Sequence, residues 1–402
     1  MKTKVDMGRS DLRTKIVWAI CALLIGVVGT TVFFLTRNGK PVVENAATEE
    51  VATSVEESKE AETPEAAANP VETRAILASW DTESETYKKL TTFVENACDP
   101  SSDGYIPPED RITTFDMDGT FICEKASIYI DMMFAVWRVL EDPNFDAPAD
   151  LRTQVESVLD EVEAGTVPKR VDLNTVLAKA YDGKTPEELM SDVVRFAESK
   201  DALGFSGMTY SQTFYRPMLE VIEYLRANDF DVWVVTACER YVSRALAVEY
   251  VGFDPTHVVG TDLVVEATGQ DTEDGLDYTF EQNDELVIAG PHERETGKTN
   301  KVIAIENEIG RRPVLSFGNS SGDFAMLNYA TANPAYPGLG FLVVADDTER
   351  EYGDEEKAAS MRQEIEGQGW VGISMRDDWT TIYGDGVEKT GLPAQEELAE
   401  AA

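Results

Sequence analysis

The stretch "RITTFDMDGTFIC", Arg111 to Cys123, decides the fold. Its β-branched and aromatic run reads as a buried strand, and the strand closes on two aspartates, Asp116 and Asp118, with Gly-Thr behind them. Carboxylates this close repel each other, so the pair is costly unless a cation joins it. Further along, "FDVWVVTA", "RRPVLSFGN" and "GLGFLVVADD" are runs of the same kind, each ending in a polar or Gly-rich corner, with helical patterns between them. That alternation predicts an α/β fold, a parallel sheet covered by helices on both faces.

Ligands of such sheets bind beyond the carboxyl ends of the strands, and the polar residues of this chain collect there. Asp116 and Asp118 end the first strand, Thr236 the second, and "GNSSGD", Gly318 to Asp323, a later one. Lys301 lies in "NKVIAIENEIG", a helical pattern that stops at Gly310 and leads into that later strand. Two aspartates, a hydroxyl, a lysine and an Asn/Asp loop are the parts of a phosphoryl-transfer site. Mg²⁺ prefers hard oxygen ligands of this kind. Asp116 is placed to attack phosphorus, Asp118 to protonate the leaving alkoxide and then activate water, and Thr236 and Lys301 to hold the equatorial oxygens.

The set "DMDGT", "VVTA", a lysine and "GNSSGD" resembles the haloacid dehalogenase superfamily, in particular its phosphoserine-phosphatase-like branch with a helical cap after the first motif. The resemblance runs from about Trp80 to Gly386 and implies a Rossmann-like doubly wound parallel sheet. It implies Asp116 as nucleophile, Asp118 as general acid/base, Thr236 as the second-motif hydroxyl and Lys301 as the third-motif lysine. It further implies Mg²⁺ bound by the Asp116 carboxylate, the Asp118 carbonyl and the loop of Asn319 and Asp323. Lys298, close before Lys301, is the alternative lysine. Many relatives carry Asp where this chain has Asn319, so either Asn319 or Asp323 is the direct ligand. Glu124 faces the cap side, as a substrate contact or a solvated loop residue. Asp346 and Asp347 end another strand and are assigned to loop structure or the metal's outer surroundings.

The remaining organisation follows from composition. Ile16 to Leu35 is twenty residues without a charge, which as a helix spans a bilayer core. Lys2, Lys4, Arg9, Arg13 and Lys15 against Asp6 and Asp11 keep residues 1–15 in the cytoplasm, so the rest is expected outside. A cleavable signal peptide is the rival reading, but no convincing cleavage site follows. Residues 36–75 carry nine Glu from Pro41 to Ala75 and read as a flexible acidic tether. Residues 76–125 and 215–387 form the expected core, 126–214 the inserted helical cap, and 388–402 a frayed acidic tail.

The formal net charge of -40 over 402 residues repels phosphate backbones and excludes nucleic acid as a partner. With only His257 and His292, a His-based triad or multi-His zinc site is hard to build, and both are expected in surface or loop positions. Four cysteines without CxxC spacing give no disulfide framework, although Cys123 and Cys238 follow neighbouring strand ends. Within the cap, Tyr129, Trp137, Tyr210 and Phe214 line a pocket or fill the core. The sequence thus predicts a membrane-anchored, Mg²⁺-dependent phosphatase of small phosphorylated metabolites. The alternatives are a phosphomutase or other phosphotransferase of the same superfamily and a tethered binding protein that kept the fold and lost turnover.

Overall fold

The computed structural model describes residues 76–124, 128–163 and 170–390. The expected membrane segment at 16–35, its flanks and tether, and most of the acidic tail lie outside these residues. Among the described residues no helix is long and apolar enough to cross a membrane.

The chain first forms α1 (Glu85–Cys98), capped by Ser84, whose hydroxyl accepts the Tyr87 N–H at 3.1 Å. Its Leu90, Val94 and Ala97 are buried. β1 (Ile112–Phe115) is buried at every residue, and the chain then leaves the sheet for the cap. It returns through α6 (Arg216–Arg226), with Pro217 in its first turn and Met218, Val221, Ile222 and Leu225 buried, into β3 (Asp231–Glu239). Then come α7 (Arg240–Val251), β4 (Val258–Ala267), β5 (Leu286–Arg294), α8 (Thr299–Ala304), β6 (Leu315–Gly318), α9 (Phe324–Thr331), β7 (Leu339–Val344), α10 (Glu355–Gln368) and β8 (Val371–Ser374).

The described strands make a seven-stranded sheet in the order β5-β4-β3-β1-β6-β7-β8, parallel except for the antiparallel β4–β5 pair. Period-two alternation serves its two faces. Val234, Phe341 and Val343 join one apolar cluster with α1, α6 and α7, whereas Val235, Leu342 and Val344 join another with α9 and α10. Phe115, Phe317 and Phe341 stack across β1, β6 and β7 with ring centroids 4.3 and 4.8 Å apart. This ladder sits one residue below Asp116 and locks the strands that present the site.

The expected parallel sheet is present, with β4, β5 and β8 in addition to the strands read from the sequence. His292 stands on β5, not in a loop. His257 lies in the short turn before β4, and Asp231 Oδ1 accepts a hydrogen bond from its Nε2 at 2.9 Å. Among the described residues, Cys98, Cys123 and Cys238 form no disulfide with one another.

The cap is built from α2 (Ile130–Leu140), α3 (Ala149–Glu163), α4 (Arg170–Tyr181) and α5 (Pro186–Ser199). Thr185 and Glu188 form the capping box of α5. The sequence shows one apolar stripe on α2, but the helix is buried nearly all round, Ile130, Phe134 and Val139 included, because the other cap helices surround it. Trp137, Tyr210 and Phe214 are core, whereas Tyr129 is 45% exposed. A two-residue strand β2 (Phe205–Ser206) follows, and it pairs antiparallel with β9 (Glu388–Lys389). The first residues assigned to a frayed tail are therefore ordered as strand. A strand of two residues has no periodicity from which its partner could be read.

Candidate active site

The register carries Asp116, Thr236 and Asn319 to the same edge of the sheet. Phe115 of β1 stands beside Val234 of β3 and Phe317 of β6, so the residues just past these partners meet. The Asp116 N–H donates to Phe317 O at 2.9 Å, which extends the ladder to the aspartate. β1 ends there because Met117–Ile122 folds into a tight turn, with Gly119 N donating to Ile122 O at 2.7 Å and Thr120 N to Met117 O at 3.0 Å. Gly119 has φ +76°, and a Cβ there would lie 1.9 Å from Asn319 Nδ2. Glycine is thus needed both for the turn and for the close approach of the Asn319 amide.

Lys301 is the pivot. Its Nζ donates to Asp116 Oδ1 at 2.5 Å and to Asp323 Oδ1 at 2.7 Å, while only 1% of the residue is exposed. Lys298 is exposed and at φ +53° merely precedes the helix, so of the two lysines the structure brings Lys301 to the aspartates. Asp323 Oδ2 accepts from Asn319 N and Ser320 N, each at 3.0 Å. Both oxygens of Asp323 are engaged in shaping the loop and holding the lysine, which leaves Asn319 as the loop side chain against the first motif. Asp116 Oδ2 faces Thr120 Oγ1 at a long 3.4 Å. Thr236 is fully buried, and its hydroxyl accepts the Cys238 N–H at 3.1 Å.

Asp118 is 9% exposed, and its buried Oδ1 has no hydrogen-bond partner. Burial, followed by the charges of Asp131, Asp116 and Glu124, pushes its carboxyl well above the usual range. At Asp116 burial and the Asp323 charge outweigh Lys301 and raise it to about 7. Burial alone would lower the Lys301 ammonium; the Asp116 and Asp323 carboxylates raise it instead. Three carboxylates therefore share one ammonium, and the excess negative charge, the orphaned oxygen and the hard oxygen donors suit a divalent cation. Among the described residues no three His, Cys, Asp or Glu side chains form a metal cage, so a cation here would rely on Asn319 and main-chain oxygen as well as Asp116.

Glu124 lies beside this site. Its Cβ is 3.2 Å from the point where a Gly119 Cβ would stand, and its carboxylate is 3.9 Å from Lys357 Nζ. Asp346 and Asp347 are structural: Asp346 accepts from Ser374 Oγ at 2.7 Å and pairs with Arg362, and Asp347 pairs with Arg350 at 2.6 Å. Two further groups were not singled out in the sequence. Asp131, buried in the first turn of α2, brings a cap charge to bear on Asp118. Glu239, wholly buried, caps α7 by accepting from Tyr241 N at 3.0 Å and Val242 N at 2.8 Å. An acidic residue in a first helical turn is ordinary, which hides Asp131 from sequence reading.

Residues 113–328 match the model of the haloacid dehalogenase-like hydrolase family. Among solved structures, a protein of unknown function from Bordetella pertussis Tohama I is 15% identical over 65% of this chain and 97% of its own, with a TM-score of 0.42. A HAD family hydrolase from Salmonella enterica serovar Typhi is 14% identical over 68% of this chain and 71% of its own, TM-score 0.37. A phosphoserine phosphohydrolase-like protein from Francisella tularensis is 13% identical over 62% and 92%, TM-score 0.33. No curated protein matches the chain.

Proposed function

The chain belongs to the haloacid dehalogenase-like hydrolases, and from that premise we propose that it is a Mg²⁺-dependent phosphatase of small phosphomonoesters. The observation that carries the reading is the Lys301 ammonium held between Asp116 and Asp323, with the orphaned Asp118 oxygen next to the pair. Asp116, Asn319 and the Asp118 carbonyl would hold the metal. When bound, Mg²⁺ supplies charge neutralisation for the carboxylates and the phosphoryl oxygens.

In the first step an Asp116 carboxylate oxygen forms a bond to phosphorus as the bond to the leaving oxygen breaks, giving an aspartyl-phosphate. Asp118 gives its proton to that leaving oxygen. Burial and the charges of Asp131, Asp116 and Glu124 push its carboxyl up, which favours the acid form this step requires. In the second step Asp118, now ionised, takes a proton from water as the water oxygen attacks phosphorus, releasing phosphate and Asp116. Lys301, fixed by two carboxylates, stabilises the charge that shifts onto the phosphoryl oxygens.

Hydrolysis of p-nitrophenyl phosphate by the full-length chain, with Mg²⁺ and with EDTA, tests this reading. Mg²⁺-dependent release of nitrophenol is expected, and no turnover with any divalent metal overturns it. We also infer single-pass membrane anchorage with the catalytic domain outside, supported by the uncharged Ile16–Leu35 run and its basic flank. Recovery of the mature chain in the soluble fraction, with a new amino terminus beyond Leu35, would overturn the anchorage.

A further inference from the structure

The cap is joined to the core by two connections, and both meet the same pair of residues, Glu351 and Tyr352. The first connection leaves the DMDGT turn through Cys123, whose thiol donates to Glu351 Oε1 at 3.8 Å. The second returns from α5 through Gly204 and Phe205. Tyr352 OH lies 2.6 Å from Gly204 O and 2.5 Å from Thr390 O, and Phe205 packs edge-on against the Tyr352 ring at 5.4 Å. Gly204 admits this contact, since a Cβ there would stand 2.3 Å from the tyrosine oxygen.

The carboxyl-terminal strand closes the arrangement. β9 pairs with β2, and Thr390 N donates to Gly204 O at 2.8 Å. Lys389 Nζ donates to Thr348 O at 2.7 Å and to Glu351 O at 3.0 Å, and lies 4.7 Å over the Tyr352 ring. Glu351, 3% exposed, is further held by the Tyr383 hydroxyl. A loop of the core, the last described strand and both cap connections are thus tied through one polar node.

We propose that this node, Glu351 and Tyr352 with β9 and Thr390, is a positioning device that sets the height and orientation of the cap over Asp116. It therefore fixes the size of leaving group the site accepts. Neither residue touches the reacting atoms; both act through the cap connections. The proposal rests on the phosphatase reading above for its kinetic consequence, but its structural part stands on the contacts alone.

The test uses the full-length chain and the variants Tyr352→Phe, which removes one hydroxyl and keeps the ring, and Thr390→Pro, which removes the N–H to Gly204. Amide hydrogen exchange is followed over residues 200–215, and kcat and KM are measured for phenyl phosphate and the bulkier naphthyl phosphate. Expected are faster exchange at 203–206 and a KM for phenyl phosphate about 3–10-fold higher, the range one lost hydrogen bond supplies. The change in kcat is expected to stay below about twofold, with selectivity shifting toward naphthyl phosphate. Faster exchange with unchanged KM and selectivity would reduce the node to a stabilising contact and overturn the proposal, as would unchanged exchange. Were the wild-type chain to hydrolyse neither ester, the phosphatase reading would fall, while the exchange measurement would still decide whether the strand holds the cap.

Discussion

Two buried clusters of charge in this molecule are built from the same residue types and behave in opposite ways. In the cap, Asp142 and Asp192 are met by Arg138, Arg195 and Lys184. Arg138 reaches Asp192 at 2.6 Å and Asp142 at 3.3 Å, Arg195 reaches them at 2.7 and 2.8 Å, and Lys184 reaches Asp192 at 3.1 Å. Burial works to raise both carboxyls, but the arginine and lysine partners hold them below their ordinary values. Beneath the cap, Asp116, Asp118 and Asp323 share Lys301, and burial wins at Asp116 and Asp118. Matched charge ties α2 to α5 and to the turn after α4, whereas unmatched charge leaves a place for a cation and a proton to come and go.

The comparison is open to direct attack. The largest effect is expected from Asp116→Asn, which removes the proposed nucleophile at constant shape. Phosphatase turnover should drop about 10⁴-fold or more, while the melting temperature of the metal-free protein rises because a repelling charge is gone. A normal rate would remove Asp116 from its role. Next, Arg138→Met in the cap should lower stability to urea by about 2 kcal/mol, since it deprives buried Asp142 and half-buried Asp192 of one partner while Arg195 remains. A neutral result would mean that the cap cluster is not balanced as described.

The smallest effect concerns Glu239, which burial pushes up to about 8. Its folded value lies above the unfolded value of 4.5, so the folded state binds the proton more tightly. Stability is then full below about pH 4.5 and is lost as pH rises toward 8. Glu239→Gln, which cannot ionise and keeps one of the two oxygens that accept the α7 amides, should gain a few degrees in melting temperature relative to wild type between pH 5 and pH 9. Identical melting curves at both pH values would refute the assignment.

The sequence shows the candidate site better than it shows the surroundings, for a physical reason. Strand ends such as Phe115-Asp116 and Gly318-Asn319 join two strong local patterns, an apolar run and a polar turn, and chain order brings them together in a parallel sheet. Lys301 was legible from its helix leading into β6, and the structure separates it from Lys298 by burial. β5, "LVIAGPHER", was not legible: Gly290 and Pro291 interrupt its alternation, and it turns antiparallel at an edge. β8 is four residues with a glycine inside. Asp131 and β9 with Thr390 acquire meaning only from tertiary neighbours, and no window of sequence contains those.

The position of β1 has a consequence for how the chain comes into being. Both of its neighbours are made long after it: Thr114 meets Ser316 across 202 residues, and the whole cap is translated before β3 appears. At about 5–20 residues per second, the central strand waits roughly 10–40 s for its second partner. During that interval the cap helices can pack on one another, but α4 and α5 still lack β5 and α7, the core elements they rest against. The phenylalanine ladder under Asp116 is completed only with Phe341, so the site acquires its shape when nearly the whole core has been delivered.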